Sequence, residues 1–154
     1  MTDNVVISIE LDTAELDRIQ RELGWRVDTV IRRMAFEMEG FAKQEAPLDT
    51  GALRNSIYTN TTKGSKFAKA DAAAKAKNPD VETTAIPEAG GDVIAVVGAC
   101  VTYAAAQETG APKRNVPAHP YLVPAAEKVR AKLADGSTYK ELLAKAPPRE
   151  PEGG

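Results

Sequence analysis

Ala46-Pro47-Leu48-Asp49-Thr50-Gly51-Ala52-Leu53-Arg54-Asn55-Ser56-Ile57 is the stretch where one kind of backbone gives way to another. Upstream, apolar residues recur at helical spacing: Leu16, Ile19, Leu23, Val27, Val30, Ile31, Met34, Met38 and Phe41. That stripe predicts an amphipathic helix, as one element or as two meeting near Gly24-Trp25. Asp12 and Glu15 make a capping-box-like start. Pro47 ends the run, because a proline pushes the residue before it out of the helical region. Unbroken from Asp12, the helix would run roughly 50 Å at about 1.5 Å per residue. Downstream, Ile57-Tyr58-Thr59-Asn60-Thr61-Thr62 is rich in β-branched residues and predicts a strand. Asp49-Thr50-Gly51 between them is a turn-forming cluster, with Asp49 capping a short helical turn and Gly51 supplying a positive φ.

Further out, Val5, Ile7, Ile9 and Leu11 alternate with Val6, Ser8 and Glu10, the period of a strand with one buried face. Asp92 to Gly98 is a third strand candidate, nearly all apolar and so expected to be central. The link between strands, residues 63–92, is far beyond the usual connection length. It is polarised: residues 63–77 carry five Lys against one Asp, and 79–92 carry four acids and no base. Its Ala-rich part, Ser65 to Lys77, predicts an exposed helix closed by Asn78-Pro79. The whole segment reads as a long loop or arm. Lys63, Lys66, Lys69, Lys75 and Lys77 are then a candidate interface for a neighbour's acidic surface, such as residues 79–92, rather than for DNA. Tyr121 to Leu133 predicts an amphipathic helix with Pro124 tolerated in its first turn, ending at Asp135-Gly136. Thr138 and Glu141 frame a short helix reaching Lys145, and Pro147 to Gly154 has nothing to bury. The expected architecture is α+β. A small mixed or antiparallel sheet packs on one long N-terminal helix, with a C-terminal helix and extended arms. One domain spans 1–134, and 135–154 is a short helix and tail.

The composition limits the functional classes. At 154 residues, 43% apolar and 27% charged, the chain can build one real core. Its 20 Lys and Arg against 22 Asp and Glu give a formal charge of −2, which argues against a dedicated nucleic-acid binder. A single cysteine, Cys100, excludes an internal disulfide, and a single histidine, His119, excludes a His-rich metal site. No apolar run has the length to cross a bilayer. Met1 to Asn4 lack the opening of a signal peptide, so cytoplasmic synthesis and no membrane partner are expected. The sharpest enzymatic candidate is Asp49-Thr50-Gly51, the signature triplet of aspartic proteases, in which two such aspartates share a proton. Those folds are almost wholly β, whereas this triplet follows a helix and a proline. His119 reads as a surface or interface residue, Cys100 as a small hydrophobe at a strand end, and Met34 and Met38 as core. There is no phosphate loop, HExxH or nucleophile elbow. No catalytic residue, metal or cofactor is expected.

Three blocks in order carry a resemblance. The first is Ala46-Pro47-Leu48-Asp49-Thr50-Gly51-Ala52-Leu53-Arg54-Asn55-Ser56-Ile57. The second is Tyr103-Ala104 with Glu108-Thr109-Gly110, and the third is Pro120-Tyr121-Leu122-Val123-Pro124-Ala125. Together they resemble the tail-completion, or head–tail joining, proteins of long-tailed bacteriophages. The chain departs from that pattern in the 63–92 excursion, one extra residue before Glu108 and its extended C-terminus. The resemblance implies a non-enzymatic structural protein of the virion neck, assembled in the host bacterial cytoplasm as a six- or twelvefold homo-oligomeric ring. It implies partners among neighbouring neck and tail proteins, such as a tail terminator or a head-completion (stopper) protein, with DNA passing through the channel without specific binding. The alternatives are a tail-terminator ring and, from another class, an Asp49-dependent homodimeric protease. Pro47, Asp49, Thr50, Gly51, Leu53, Arg54, Ser56, Tyr103, Glu108, Gly110, Pro120, Tyr121 and Pro124 are the motif residues. Because two blocks each keep one charge, Arg54 and Glu108 are expected to pair.

Overall fold

The computed structural model describes residues 26–48, 51–91 and 93–136. The strand expected at 5–11, the helix start and the Gly24-Trp25 junction lie outside the described residues. So do Asp49, Thr50, Asp92 and everything after Gly136.

The described chain is α+β. Helix α1 (Arg26–Glu45) leads through Pro47 to a single-turn helix α2 (Ala52–Ser56), which passes directly into strand β1 (Ile57–Thr61). Helix α3 (Phe67–Lys77) follows, then strand β2 (Ala95–Ala99), helix α4 (Ala104–Thr109), a 3-10 turn (Pro112–Arg114) and helix α5 (Leu122–Asp135). Among the described residues the sheet has two antiparallel strands, with Ile57 opposite Ala99 and Thr61 opposite Ala95.

The strands alternate between two cores, as the pleat requires. Ile57, Ala95 and Val97 point into the larger one, against Met34, Met38 and Ala42 of α1 and Ala125 and Val129 of α5. Met38 is wholly buried there, a side chain whose removal from water is worth roughly 1.5–3 kcal/mol. Helices α1 and α5 lie antiparallel, held at their rims by Lys132–Glu37 at 3.7 Å and Lys128–Glu45 at 2.5 Å. Tyr58, Val96 and Cys100 point the other way, into a second cluster with Ala70, Ile86 and Phe67.

That second cluster explains the long link between the strands. Instead of reaching outward, residues 63–92 cover the far face of the sheet. Helix α3 is the exposed helix expected from its composition on one side, with Lys69, Ala72 and Lys75 to Lys77 exposed, and buries Ala70 and Ala74 on the other. A strap over residues 81–87 follows. Thr84 N–H donates to the Cys100 carbonyl at 2.7 Å, and Thr102 N–H donates to that of Glu82 at 3.0 Å. Ile86 N–H donates to the Tyr58 hydroxyl at 2.8 Å, and the Asn60 amide donates to the Pro87 carbonyl at 3.0 Å. Gly98 permits this closeness, since a Cβ there would sit 2.9 Å from Ile86 Cγ2.

Among the described residues only β1 pairs with β2 as a strand, and the apolar run of β2 follows from both its faces being covered. It also starts later than expected: Val93 closes a tight turn with Gly90 before the ladder begins.

Candidate functional site

The motif blocks occupy the joints of the fold. In the first, Gly51 stands at the N-terminus of α2 with φ of 85°, the left-handed region that glycine enters without steric cost. Pro47 is half-buried, Leu53 is buried and Arg54 is half-buried. Ser56 is fully buried; its hydroxyl donates to the Leu53 carbonyl at 2.7 Å, and its own carbonyl accepts from Cys100 N–H at 3.1 Å. One residue thus ends the helical turn and starts the ladder.

The second and third blocks meet at Glu108. Helix α5 opens on Tyr121-Leu122-Val123-Pro124, with no Ser, Thr, Asp or Asn to cap it. The Glu108 carboxylate supplies the cap from another helix. Its Oε2 accepts from Tyr121 N–H at 2.8 Å and from Leu122 N–H at 2.9 Å, and its Oε1 accepts from Val123 N–H at 2.9 Å. Pro124, next in line, has no N–H to satisfy. All the free donors of this helix start are accounted for by one buried side chain and one proline. A carboxylate at a helix N-terminus also faces the positive end of the helix dipole.

The surrounding residues fix that geometry. The Tyr121 ring is wholly buried and its hydroxyl donates to the Ala104 carbonyl at 3.2 Å. Burial, with the Glu108 charge beside it, pushes the Tyr121 hydroxyl pKa far above the usual tyrosine range. Gly110 ends α4 with φ of 78° and lies against the returning loop, where a Cβ would sit 3.0 Å from Ala118 N. His119 N–H donates to the Gln107 carbonyl at 2.7 Å while its side chain is exposed. Tyr103 stands at the N-cap position of α4 without a side-chain capping bond, and Pro120 is exposed just before the junction.

The expected Arg54–Glu108 pair does not form. Both Glu108 oxygens are committed to backbone N–H groups, and among the described residues no ion pair joins the two side chains. Arg54 Nε is buried without a hydrogen-bond partner there. The charge at 108 serves the third block rather than the first.

The five lysines do not form one patch. Lys63 is in the turn after β1, and Lys75 pairs with Asp71 at 2.9 Å. Lys66 lies over the Phe36 ring at 4.4 Å, and the stem of Lys77 runs beside Gly51, where a Cβ would sit 3.6 Å from Lys77 Cγ and Cδ. Lys66 and Lys69 border a groove of about 240 Å³ between α1 and α3. Burial pushes the Cys100 thiol up to about 11, which withholds the thiolate needed for reactivity. Among the described residues no cluster of three His, Cys, Asp or Glu gathers to hold a metal, and no helix is long and apolar enough to cross a membrane.

Two features were missed from sequence. Glu108 as a cap was signalled by a helix start lacking its own. The strap was signalled by β2, whose apolar residues fall on both faces and require two covers.

Compared with protein-family models, curated proteins and solved structures, the chain matches none.

Proposed function

We propose that this chain is a structural protein of the phage neck, forming a ring that completes the tail and joins it to the DNA-filled head. The observation that carries the reading is the use made of the motif residues. Glu108, the conspicuous acid of the second block, is consumed in tying α4 to α5, and Gly110, Tyr121 and Pro124 serve the same joint. A motif spent on holding chain segments together suits a scaffold better than a site that turns over substrate.

The surface supports the same reading. Leu48 is 66% exposed and Val123 43% exposed. The antiparallel register of α1 and α5 sets these two apolar residues toward one end of the helix pair, beside the first and third blocks. A ring closes through one heterologous contact repeated around an axis, and this end offers the apolar half of such a contact. The near-neutral balance of charge suits a channel through which DNA must slide.

A phage carrying Leu48→Asp with Val123→Asp tests the assignment, since both side chains are exposed and the subunit keeps its fold. Heads and tails that accumulate unjoined support it; normal joined particles refute it. Asp49→Asn separates it from an Asp49-dependent protease, which would lose all activity, whereas a capping Asp tolerates Asn with little loss.

A further inference from the structure

Helix α3 separates two sets of charges that nothing in the described subunit neutralises. Lys66 and Lys69 are exposed along the groove that α3 forms with α1. The acid of that groove, Glu39, is already engaged: it pairs with Lys43 at 3.5 Å and accepts from the Thr59 hydroxyl at 3.3 Å. On the strap side, Asp80 and Glu82 are exposed. Among the described residues none of Lys66, Lys69, Asp80 and Glu82 enters an ion pair. The two sets also face opposite ways. Lys69 and Asp71, two residues apart on α3, stand about 200° apart at 3.6 residues per turn. Lys69 borders the groove, whereas Asp71 holds the strap by accepting from the Thr83 hydroxyl at 2.5 Å. Side chains alternate along an extended segment. With Val81 buried and Thr83 turned to α3, Asp80 and Glu82 turn away from that helix. One flank thus carries two unpaired cations and the other two unpaired anions.

We propose that the strap of one copy of this chain docks on the α1–α3 face of the next, with Asp80 and Glu82 against Lys66 and Lys69. The inference rests on the ring reading above and names its charged contact, for which Leu48 and Val123 supply apolar surface. The receiving face leaves room for a backbone to approach. Its groove holds about 240 Å³. Gly40 is exposed on the same face of α1 as Phe36 and Lys43, and nothing stands within 4 Å of where its Cβ would be. Charge matching across such a contact fixes partner and register more than it adds affinity. Because the two sets lie on different flanks, the contact is heterologous: repeated, it closes a ring or extends a filament rather than a two-fold dimer.

Lys69→Cys and Glu82→Cys, placed together in the full chain and expressed in the assembling phage, test the contact by treating the lysate with a short bis-maleimide. Both positions are exposed, and the buried Cys100 stays out of the reaction. The expected result on a denaturing gel is a ladder of crosslinked chains extending beyond the dimer. Adding Lys66→Glu sets like charges against each other at the remaining pair and should cut the ladder about tenfold. Adding Asp80→Lys as well should restore it, which also shows that the loss was not a loss of folding. Crosslinking that is absent or stops at a dimer overturns the proposal, as does a ladder indifferent to Lys66→Glu. Sedimenting the lysate first keeps the two readings apart. A ladder in chains that never travel with joined particles keeps this contact and fails the neck reading. Chains on joined particles without a ladder fail this contact alone.

Discussion

Replacing Glu108 is the most informative single perturbation, because its carboxylate satisfies three backbone donors at once. A hydrogen bond to a charged acceptor is worth about 1.5–3 kcal/mol, and the dipole term at a helix N-terminus adds roughly 0.3–2 kcal/mol. These contributions overlap, and water entering the space left by a truncated side chain recovers part of the loss. A net cost of about 3–5 kcal/mol is therefore expected for Glu108→Ala, in the range seen when a buried charged partner is removed. Glu108→Gln keeps the shape and one acceptor oxygen but turns an NH2 group toward the remaining N–H. Its cost is about 2–3 kcal/mol. Against a total stability of roughly 5–15 kcal/mol, either loss is large. Urea unfolding followed by circular dichroism reads it as a lower midpoint at unchanged slope. Thermal unfolding should show a fall of roughly 10 °C for the alanine variant. A Glu108→Gln protein within about 0.5 kcal/mol of the parent would show that this joint is not held by the carboxylate. Arg54→Ala combined with Glu108→Gln should be additive within about 0.5 kcal/mol, since the two side chains do not pair; strong coupling would restore the charge pair.

Gly98→Ala should cost about 1–3 kcal/mol, because the new methyl meets Ile86 at 2.9 Å and the strap must lift; chemical denaturation checks it. Cys100 should resist a thiol reagent such as dithionitrobenzoate at pH 8 and react fully only in denaturant, since burial raises its pKa to about 11. The same shift works against the fold in alkali. A group whose folded pKa lies above its unfolded value holds its proton more tightly when folded, so stability falls as pH rises from about 9 toward 11. The raised Tyr58 and Tyr121 hydroxyls act in the same direction. At the acid end, Asp71 is held below its ordinary value by the Thr83 hydroxyl and then by Lys75. Its contribution is present above the unfolded value near 3.9 and lost as pH falls through the lower folded one. The cross-link from α3 to the strap should loosen there, read as faster exchange at Thr83 and Thr84.

The elements legible in the sequence were those with a local signal. The helix ahead of Pro47, the strand from Ile57, the Ala-rich helix closed by Asn78 and the helix from Tyr121 each depend on neighbours within a few residues. Gly51 at positive φ was legible for the same reason. What escaped depends on contacts between distant residues. Glu108 was read as a partner for Arg54, when its role is fixed by Tyr121 to Val123, more than a turn and a loop away. The segment 63–92 was read as an arm because its length and charge looked solvated. Its few apolar residues do their work only in the folded chain: Ile86 packs against Tyr58, Gly98 and Cys100, and Val81 joins the larger core with Met34, Met38 and Leu53.

The central claim, a role in joining heads to tails, is tested most directly by electron microscopy of lysates from a phage or prophage with a stop codon at Gln20. Full, DNA-filled heads beside separate tails of normal length are the expected result. Tails of uncontrolled length would move the chain to the terminator role. Empty, unprocessed capsids would contradict the structural reading outright and point back to Asp49.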